Sequence, residues 1–190
     1  MPKKVDHQER RTLIADALMQ VAADQGLEAV SLRHVAAAAG VSPGMVQHYF
    51  RTKDEMMAFA LAVVRDRNEV RVTEALTELG DNPPPRLMLR TLIATLLPLD
   101  ERTREDGRVA LAFLAYTAVR PAAASTLRAE TTQMVDFIAG VLPAPHAHDT
   151  AAGLLALMEG LGVYLLGGHY TAKQALSALD THLDLVFGLD

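Results

Sequence analysis

Residues 31–53 read SLRHVAAAAGVSPGMVQHYFRTK, and this stretch decides the fold. Leu32, Val35, Ala36 and Ala39 recur at helical spacing and predict one buried stripe. Ser31 stands just before the stripe, where a side-chain oxygen can accept from the free N–H groups of a first turn. Gly40 follows the last periodic residue and supplies a left-handed stop. Ser42 then caps a second helix with Pro43 at its first position, where a missing N–H costs nothing. Met45, Val46, Tyr49 and Phe50 carry that helix forward. Two short helices about a Gly-containing turn make a helix-turn-helix, whose second helix fits the major groove of DNA.

A competing pattern overlies the same residues. Gly40-Val41-Ser42-Pro43-Gly44 also spells G-x-S-x-G, the nucleophile elbow of α/β-hydrolases. That chemistry needs a strand running into the Ser. Here Leu32 to Ala39 are Ala-rich and helical, so the context rejects a nucleophile.

The order Val35-Ala36, Ala39-Gly40-Val41-Ser42, Gly44, Tyr49-Phe50 and Lys53 resembles the DNA-binding head of the TetR family of bacterial repressors. The matching order runs from about Arg10 to Phe59. There are two departures: Gln47 stands where the family most often has a Tyr that touches DNA, and Tyr49 where it most often has His. On the chemistry of the residues, base reading is expected from Ser42, Pro43, Gly44, Met45, Gln47 and His48. Gln47 suits a bidentate bond to an adenine edge, and Met45 suits contact with a thymine methyl. Ser31, Arg33, Tyr49, Thr52 and Lys53 are expected to hold phosphates and set register. Lys53 opens a helix whose own N–H groups face an anion. His34 reads as a solvent-facing helix residue.

Charge supports one end as the DNA end. The net charge is −5 over 190 residues, which taken globally argues against nucleic acid. Residues 1–53 nevertheless carry seven Lys/Arg (Lys3, Lys4, Arg10, Arg11, Arg33, Arg51, Lys53) against four acids (Asp6, Glu9, Asp24, Glu28), or +3, leaving −8 for the remainder. A basic head on an acidic body is expected where only one end meets phosphate. Cys is absent, so no disulfide framework or thiolate metal site is available, and a reducing, cytoplasmic setting fits. Met1 to Arg11 lacks the apolar core of a signal peptide. The apolar run near Leu154–Gly168 is broken by Glu159 and is shorter than the roughly 20 residues of a membrane span, so no membrane partner is expected.

The rest of the chain reads as helix throughout, giving an all-α fold of about nine helices. Helix 1 is expected over Gln8–Gln25 with Gly26 as its stop, and helix 4 from Lys53 to about Leu79 as the link between head and body. Gly80-Asp81-Asn82-Pro83-Pro84-Pro85 is the clearest break. Further helices are expected near Arg86–Leu97, Glu101–Val119, Ala122–Leu142, Asp149–Leu166 and Ala172–Phe187. The last opens on Thr171-x-x-Gln174, a capping box. The expected domains are 1–53, with the linking helix starting there, and 54–190.

The helix over Asp149–Leu166 is apolar nearly all round and must be buried on more than one side. In the family that the chain resembles, the last two helices pair with their copies. Leu154, Leu161, Leu165, Leu176, Leu179, Leu183 and Phe187 are therefore expected at a homodimer interface. A dimer also presents two recognition helices about one turn apart, roughly 34–36 Å, and reads a palindrome. The resemblance further implies a small-molecule pocket between Pro85 and Leu166. Met88, Leu92, Phe113, Tyr116, Met134, Phe137, Met158 and Tyr164 fit an adaptable apolar lining, with Thr117, Gln133 and Glu159 as orienting polar groups. Glu159 is the sharpest of these, since an acid on so apolar a helix is seldom buried without a partner. A cationic ligand, an Arg across the dimer and plain solvent all remain open for it.

His146-Ala147-His148-Asp149 offers too few converging ligands for a metal site, and Asp149 is expected to cap the next helix. No Gly-rich phosphate loop or catalytic dyad is evident, so neither a cofactor nor an enzymatic activity is expected. The implied function is a ligand-responsive repressor of a palindromic operator. The alternatives are a helical binding protein or enzyme with an unused motif, and an activator of the same fold.

Overall fold

The computed structural model describes residues 7–26, 29–120, 124–143 and 145–188. Among them lie nine helices and no strand: α1 His7–Gln25, α2 Leu32–Ala38, α3 Pro43–Tyr49, α4 Lys53–Thr77, α5 Pro85–Leu96, α6 Glu101–Ala118, α7 Ser125–Val141, α8 Ala147–Leu166 and α9 Ala172–Phe187. Lys3, Lys4, Asp6, Glu28 and the expected helix start at Ala122 lie outside the described residues.

The described chain separates into two compact units, which are not divided at residue 53. The first holds the chain up to Arg67 together with the segment from Arg108 to residue 120. The second holds Asn68–Gly107 and the chain from Ala124 onward. Helices α4 and α6 therefore each contribute to both units. The physical reason is the thin core of three short head helices. The first part of α4 adds the buried side chains Met56, Met57, Ala60 and Val64, and the last part of α6 adds Val109 and Phe113. In this unit α2 packs against α1 and α3, and Arg67 of α4 pairs with Asp16 of α1 at 2.7 Å.

In the second unit α8 packs against α7 and α9, and α5 against α9 and α7. The core joins Leu89, Leu92 and Ile93 of α5, Ile138 of α7, Leu154, Leu161 and Leu165 of α8, and Leu179 and Leu183 of α9. Five of the seven expected dimer residues are thus committed within their own protomer. Leu154, Leu161, Leu165, Leu179 and Leu183 are 0–3 % exposed and offer no surface to a second copy. Phe187 packs against the same core, half-buried, and Leu176 is half-buried. An apolar stripe satisfies its own chain's core first.

Polar contacts pin this unit. Arg90 of α5 forks onto Asp180 of α9, with Nε at 2.6 Å and Nη2 at 3.1 Å, and Arg86 Nε donates to Asp184 at 2.7 Å. Arg104 donates to the carbonyls of Leu165 and Leu166 at 3.1 and 3.3 Å, capping the end of α8. Arg71 of α4 pairs at 2.7 Å with Asp106 of α6, which is 5 % exposed. The capping box of α9 is formed: Thr171 N–H donates to Gln174 Oε1 at 2.9 Å, and Gln174 N–H to Thr171 Oγ1 at 3.3 Å. Asp149 does not cap α8. The helix begins two residues earlier behind His146, whose side chain makes no capping bond, so Asp149 only places an anion in the first turn. Helix α8 has the length and composition of a membrane-crossing helix, while its Ala151, Leu154, Leu161 and Leu165 lie in the core.

Candidate nucleic-acid interface

Every local device expected of the helix-turn-helix is built. Ser31 Oγ accepts from His34 N–H at 3.2 Å and caps α2. Gly40 sits at φ +65°. Around it Gly40 N–H donates to Ala37 O at 3.2 Å and Val41 N–H to Ala36 O at 3.0 Å, the paired bonds of a Schellman stop. Ser42 Oγ accepts from Met45 N–H at 3.2 Å and caps α3 behind Pro43. With a helix before it and its oxygen engaged as a cap, Ser42 has none of the strand context of a nucleophile. Val46 and Phe50 are buried at 0 % and anchor α3 to the head.

Anchoring one side leaves the other outward. Ser42, Pro43, Gly44, Met45, Gln47 and His48 are all exposed, as are Ser31, Arg33 and Thr52. Tyr49 and Lys53 are half-buried at the end of α3 and the start of α4. The expected base-reading residues thus lie along α3 and its cap, with Tyr49 at the end of the helix and Thr52 and Lys53 just beyond it, while Ser31 and Arg33 stand at the start of α2. His34 is exposed as expected, and its ring has a local use: Nδ1–H donates to the Ala29 carbonyl at 2.7 Å. A carbonyl only accepts, which fixes the tautomer.

The start of α4 is tightly tied. Thr52 Oγ1 accepts from Glu55 N–H at 3.1 Å, and Glu55 Oε2 accepts from Arg51 N–H at 2.9 Å. Together these two bonds tie the first turn of α4 to the loop on which Lys53 enters. The Tyr116 hydroxyl of α6 donates to Asp54. That bond, with burial and the Asp54 charge, holds the Tyr116 phenol above its ordinary range, because ionising it would lose the bond and set two anions together.

Two head residues escaped the sequence reading. The Arg11 guanidinium lies over the rings of Phe50 and Phe59, at 5.1 and 4.4 Å from their centroids. It is a packing cation rather than one presented to phosphate. His7, the first residue of α1, sets its ring against Tyr49, with centroids 4.6 Å apart and planes 62° apart. Tyr49 in turn meets His48 edge-on at 5.2 Å. Neither contact has a periodicity or spacing that would reveal it, since each joins α1 to residues far along the chain.

The expected effector residues fall in both units. Phe113, Tyr116 and Thr117 belong to the first and are buried. The Thr117 hydroxyl bonds the carbonyls of Phe113 and Leu114, at 3.1 and 3.0 Å. In the second unit Leu92 lies in the core, and Met134 and Met158 pack against it. Met88 is half-buried and Gln133 exposed, while Phe137 and Tyr164 are each 47 % exposed. Glu159 reaches the surface, yet the apolar surroundings of α8 raise its carboxyl above the usual range by desolvation. An open groove of about 730 Å³ lies elsewhere, lined by Leu157 of α8 and by Gln174, Ser177, Ala178, Thr181 and Leu185 of α9 among others. None of the expected effector residues lines it. His148 Nε2 stands 3.4 Å from Asp136 of α7.

Comparison with known proteins covers both parts of the chain. A family model described as bacterial regulatory proteins, tetR family, matches residues 14–59. A second, described as BetI-type transcriptional repressor, C-terminal, matches residues 85–188. A crystal structure of a transcriptional regulator from Rhodococcus sp. Rha1 is similar at a TM-score of 0.85 and 36 % identity, covering 94 % of this chain and 96 % of that one. The HTH-type transcriptional regulator BetI of Burkholderia thailandensis is 28 % identical over 193 residues, 98 % of this chain and 97 % of that protein. The HTH-type transcriptional regulator PksA of Bacillus subtilis is 37 % identical over 116 residues, 61 % of this chain and 55 % of that protein.

Proposed function

The chain belongs to the TetR family of bacterial regulatory proteins, and we propose that it works as a homodimeric repressor that leaves a palindromic operator when a small molecule binds. Its class is a ligand-responsive, DNA-binding transcriptional regulator. The observation that carries the proposal is the outward face of α3. Met45, Gln47 and His48 project from a helix capped by Ser42 and anchored by Val46 and Phe50. Gln47 reads an adenine edge and Met45 a thymine methyl. Ser31, Arg33, Tyr49, Thr52 and Lys53 hold phosphates.

The outer surface of α8 and α9 supports the dimer. Gly153, Ala156 and Tyr164 of α8, with Ser177, Ala178 and Thr181 of α9, are exposed. Leu185 is 70 % exposed. Small residues beside an uncovered leucine allow two helices to approach closely, and a two-fold pair supplies the second half-site. The effector binds among the helices after Pro85, where Met88, Met134, Met158, Phe137 and Tyr164 offer adaptable apolar surface. Effector and operator oppose each other only by the effector's preference for one state, typically about 1–3 kcal/mol. No chemistry is catalysed, and the site of action is the DNA in the bacterial cytoplasm.

The test is a binding selection on random duplex DNA with the purified chain at physiological salt. A recovered palindrome with tight, sequence-dependent binding is expected. Binding that stays near 10⁻⁴–10⁻⁶ M for every sequence, the ordinary non-specific range, overturns the proposal.

A further inference from the structure

We infer that His7 is a positioning residue of the DNA-reading surface, its imidazole bracing Tyr49 so that the last turn of α3 meets DNA in one arrangement. The inference rests on the reading that this turn faces DNA. Helix α3 spans only seven residues, and at Phe50 the backbone leaves it for extended geometry at φ −138°. No later turn of the helix therefore supports Tyr49 or the exposed His48. Support comes instead from α1. The His7 and Tyr49 rings lie 4.6 Å apart at 62°, an edge-to-face geometry. Tyr49 and His48 follow at 5.2 Å and 81°, and His7 and His48 centroids are 6.2 Å apart.

Three rings thus run from the first turn of α1 across the end of α3. Edge-to-face pairs gain from the opposed charge distribution of ring edge and ring face. A side chain already held in its bound rotamer has less ordering to lose when DNA arrives. His7 is itself exposed, so removing its ring leaves the buried head core of Ile14, Leu18, Val35, Val46 and Phe50 untouched. A phenol braced in this way presents its hydroxyl to a phosphate from a fixed position. The unbraced phenol would sample several rotamers.

The test uses the full chain with His7→Ala, His7→Phe and Tyr49→Ala, and His7→Ala combined with Tyr49→Ala. Binding is measured on the duplex recovered by selection and on an unrelated duplex of equal length, across a salt series and well below each variant's thermal midpoint. His7→Ala is expected to weaken binding to the selected duplex about three- to tenfold, the scale of one aromatic pair, with the salt slope unchanged. His7→Phe keeps the ring and is expected to bind within about twofold of the parent. In the Tyr49→Ala background, His7→Ala is expected to add no further loss. The inference is overturned if His7→Phe binds as weakly as His7→Ala, since a ring edge against Tyr49 would then not be what His7 contributes. It is equally overturned if the His7→Ala loss persists undiminished without Tyr49, or if His7→Ala binds like the parent. A parent that binds neither duplex would overturn the DNA reading itself, an outcome separate from all of these.

Discussion

Replacing Gly40 and Gly44 with Ala separates folding from recognition within five residues. Gly40 lies at φ +65°, and the space where a Cβ would stand is open. The whole penalty of Gly40→Ala is therefore conformational, about 1–2 kcal/mol for an L-residue in the left-handed region. No clash adds to it. Gly44 lies in the first turn of α3 with an ordinary φ, and its Cβ would meet only Ser42 Oγ, at 3.9 Å. Gly44→Ala removes backbone freedom from the unfolded chain and is stabilising by up to about 1 kcal/mol. The same methyl, however, stands on the face proposed to meet DNA, where it would hold the backbone away from the groove. Urea unfolding of the full chain, read beside operator binding at a temperature where both variants are folded, gives opposite orders. Gly40→Ala is less stable and binds nearly as the parent does, while Gly44→Ala is more stable and binds at least tenfold more weakly. Undiminished operator binding by Gly44→Ala would refute the placement of this turn against DNA. Undiminished stability of Gly40→Ala would refute the left-handed stop.

Lys53→Ala should weaken all duplexes alike and lower the salt slope by about one, whereas Gln47→Ala should relax sequence preference and leave most non-specific affinity; fluorescence anisotropy across salt and sequence distinguishes them. Asp180→Ala strips both guanidinium bonds from Arg90 in a pair about one-third exposed. After allowance for solvent screening the loss is about 1 kcal/mol, or roughly 2–4 °C in thermal midpoint for a chain of this size. Burial raises the Glu159 carboxyl in the folded state, so the ionised form is disfavoured by folding. That penalty is present above the folded pKa and disappears below the unfolded value near pH 4. Glu159→Gln should therefore be more stable than the parent at pH 7 and equal to it below pH 4, by urea midpoints; an equal difference at both would contradict the desolvation.

The head was legible because its signals are local. Ser31, Gly40, Ser42 and Pro43 act on backbone groups within four residues of themselves, and each makes the bond that its position implies. Thr171 and Gln174 are legible for the same reason. What sequence hid is tertiary. Helix α8 is apolar on nearly every side, so its pattern carries no phase. Leu154, Leu161 and Leu165, read as an interface, face the core, while Gly153 and Ala156 lie outside. On α9 the stripe of Leu179 and Leu183 is the inner face, and the outward residue is the lone Leu185. A single leucine among Ser, Thr and Asp has no periodicity to announce it. The ring of His7 on Tyr49 and the guanidinium of Arg11 on Phe50 join residues some 40 apart, and nothing in spacing anticipates them. The two compact units do not part at residue 53, because α4 and α6 each give residues to both.

Two copies of this chain, joined through the outer face of α8 and α9, are proposed to read DNA with paired α3 helices. The most direct measurement is sedimentation of the parent and of Leu185→Glu, each free and on a duplex carrying the selected palindrome or one half-site. The parent is expected to be a dimer that places two chains on the palindrome and binds the half-site far more weakly. Leu185→Glu is expected to be a folded monomer that has lost the preference for the palindrome. A monomeric parent that binds one half-site as tightly as two, or a Leu185→Glu variant still dimeric on the palindrome, would contradict this pairing.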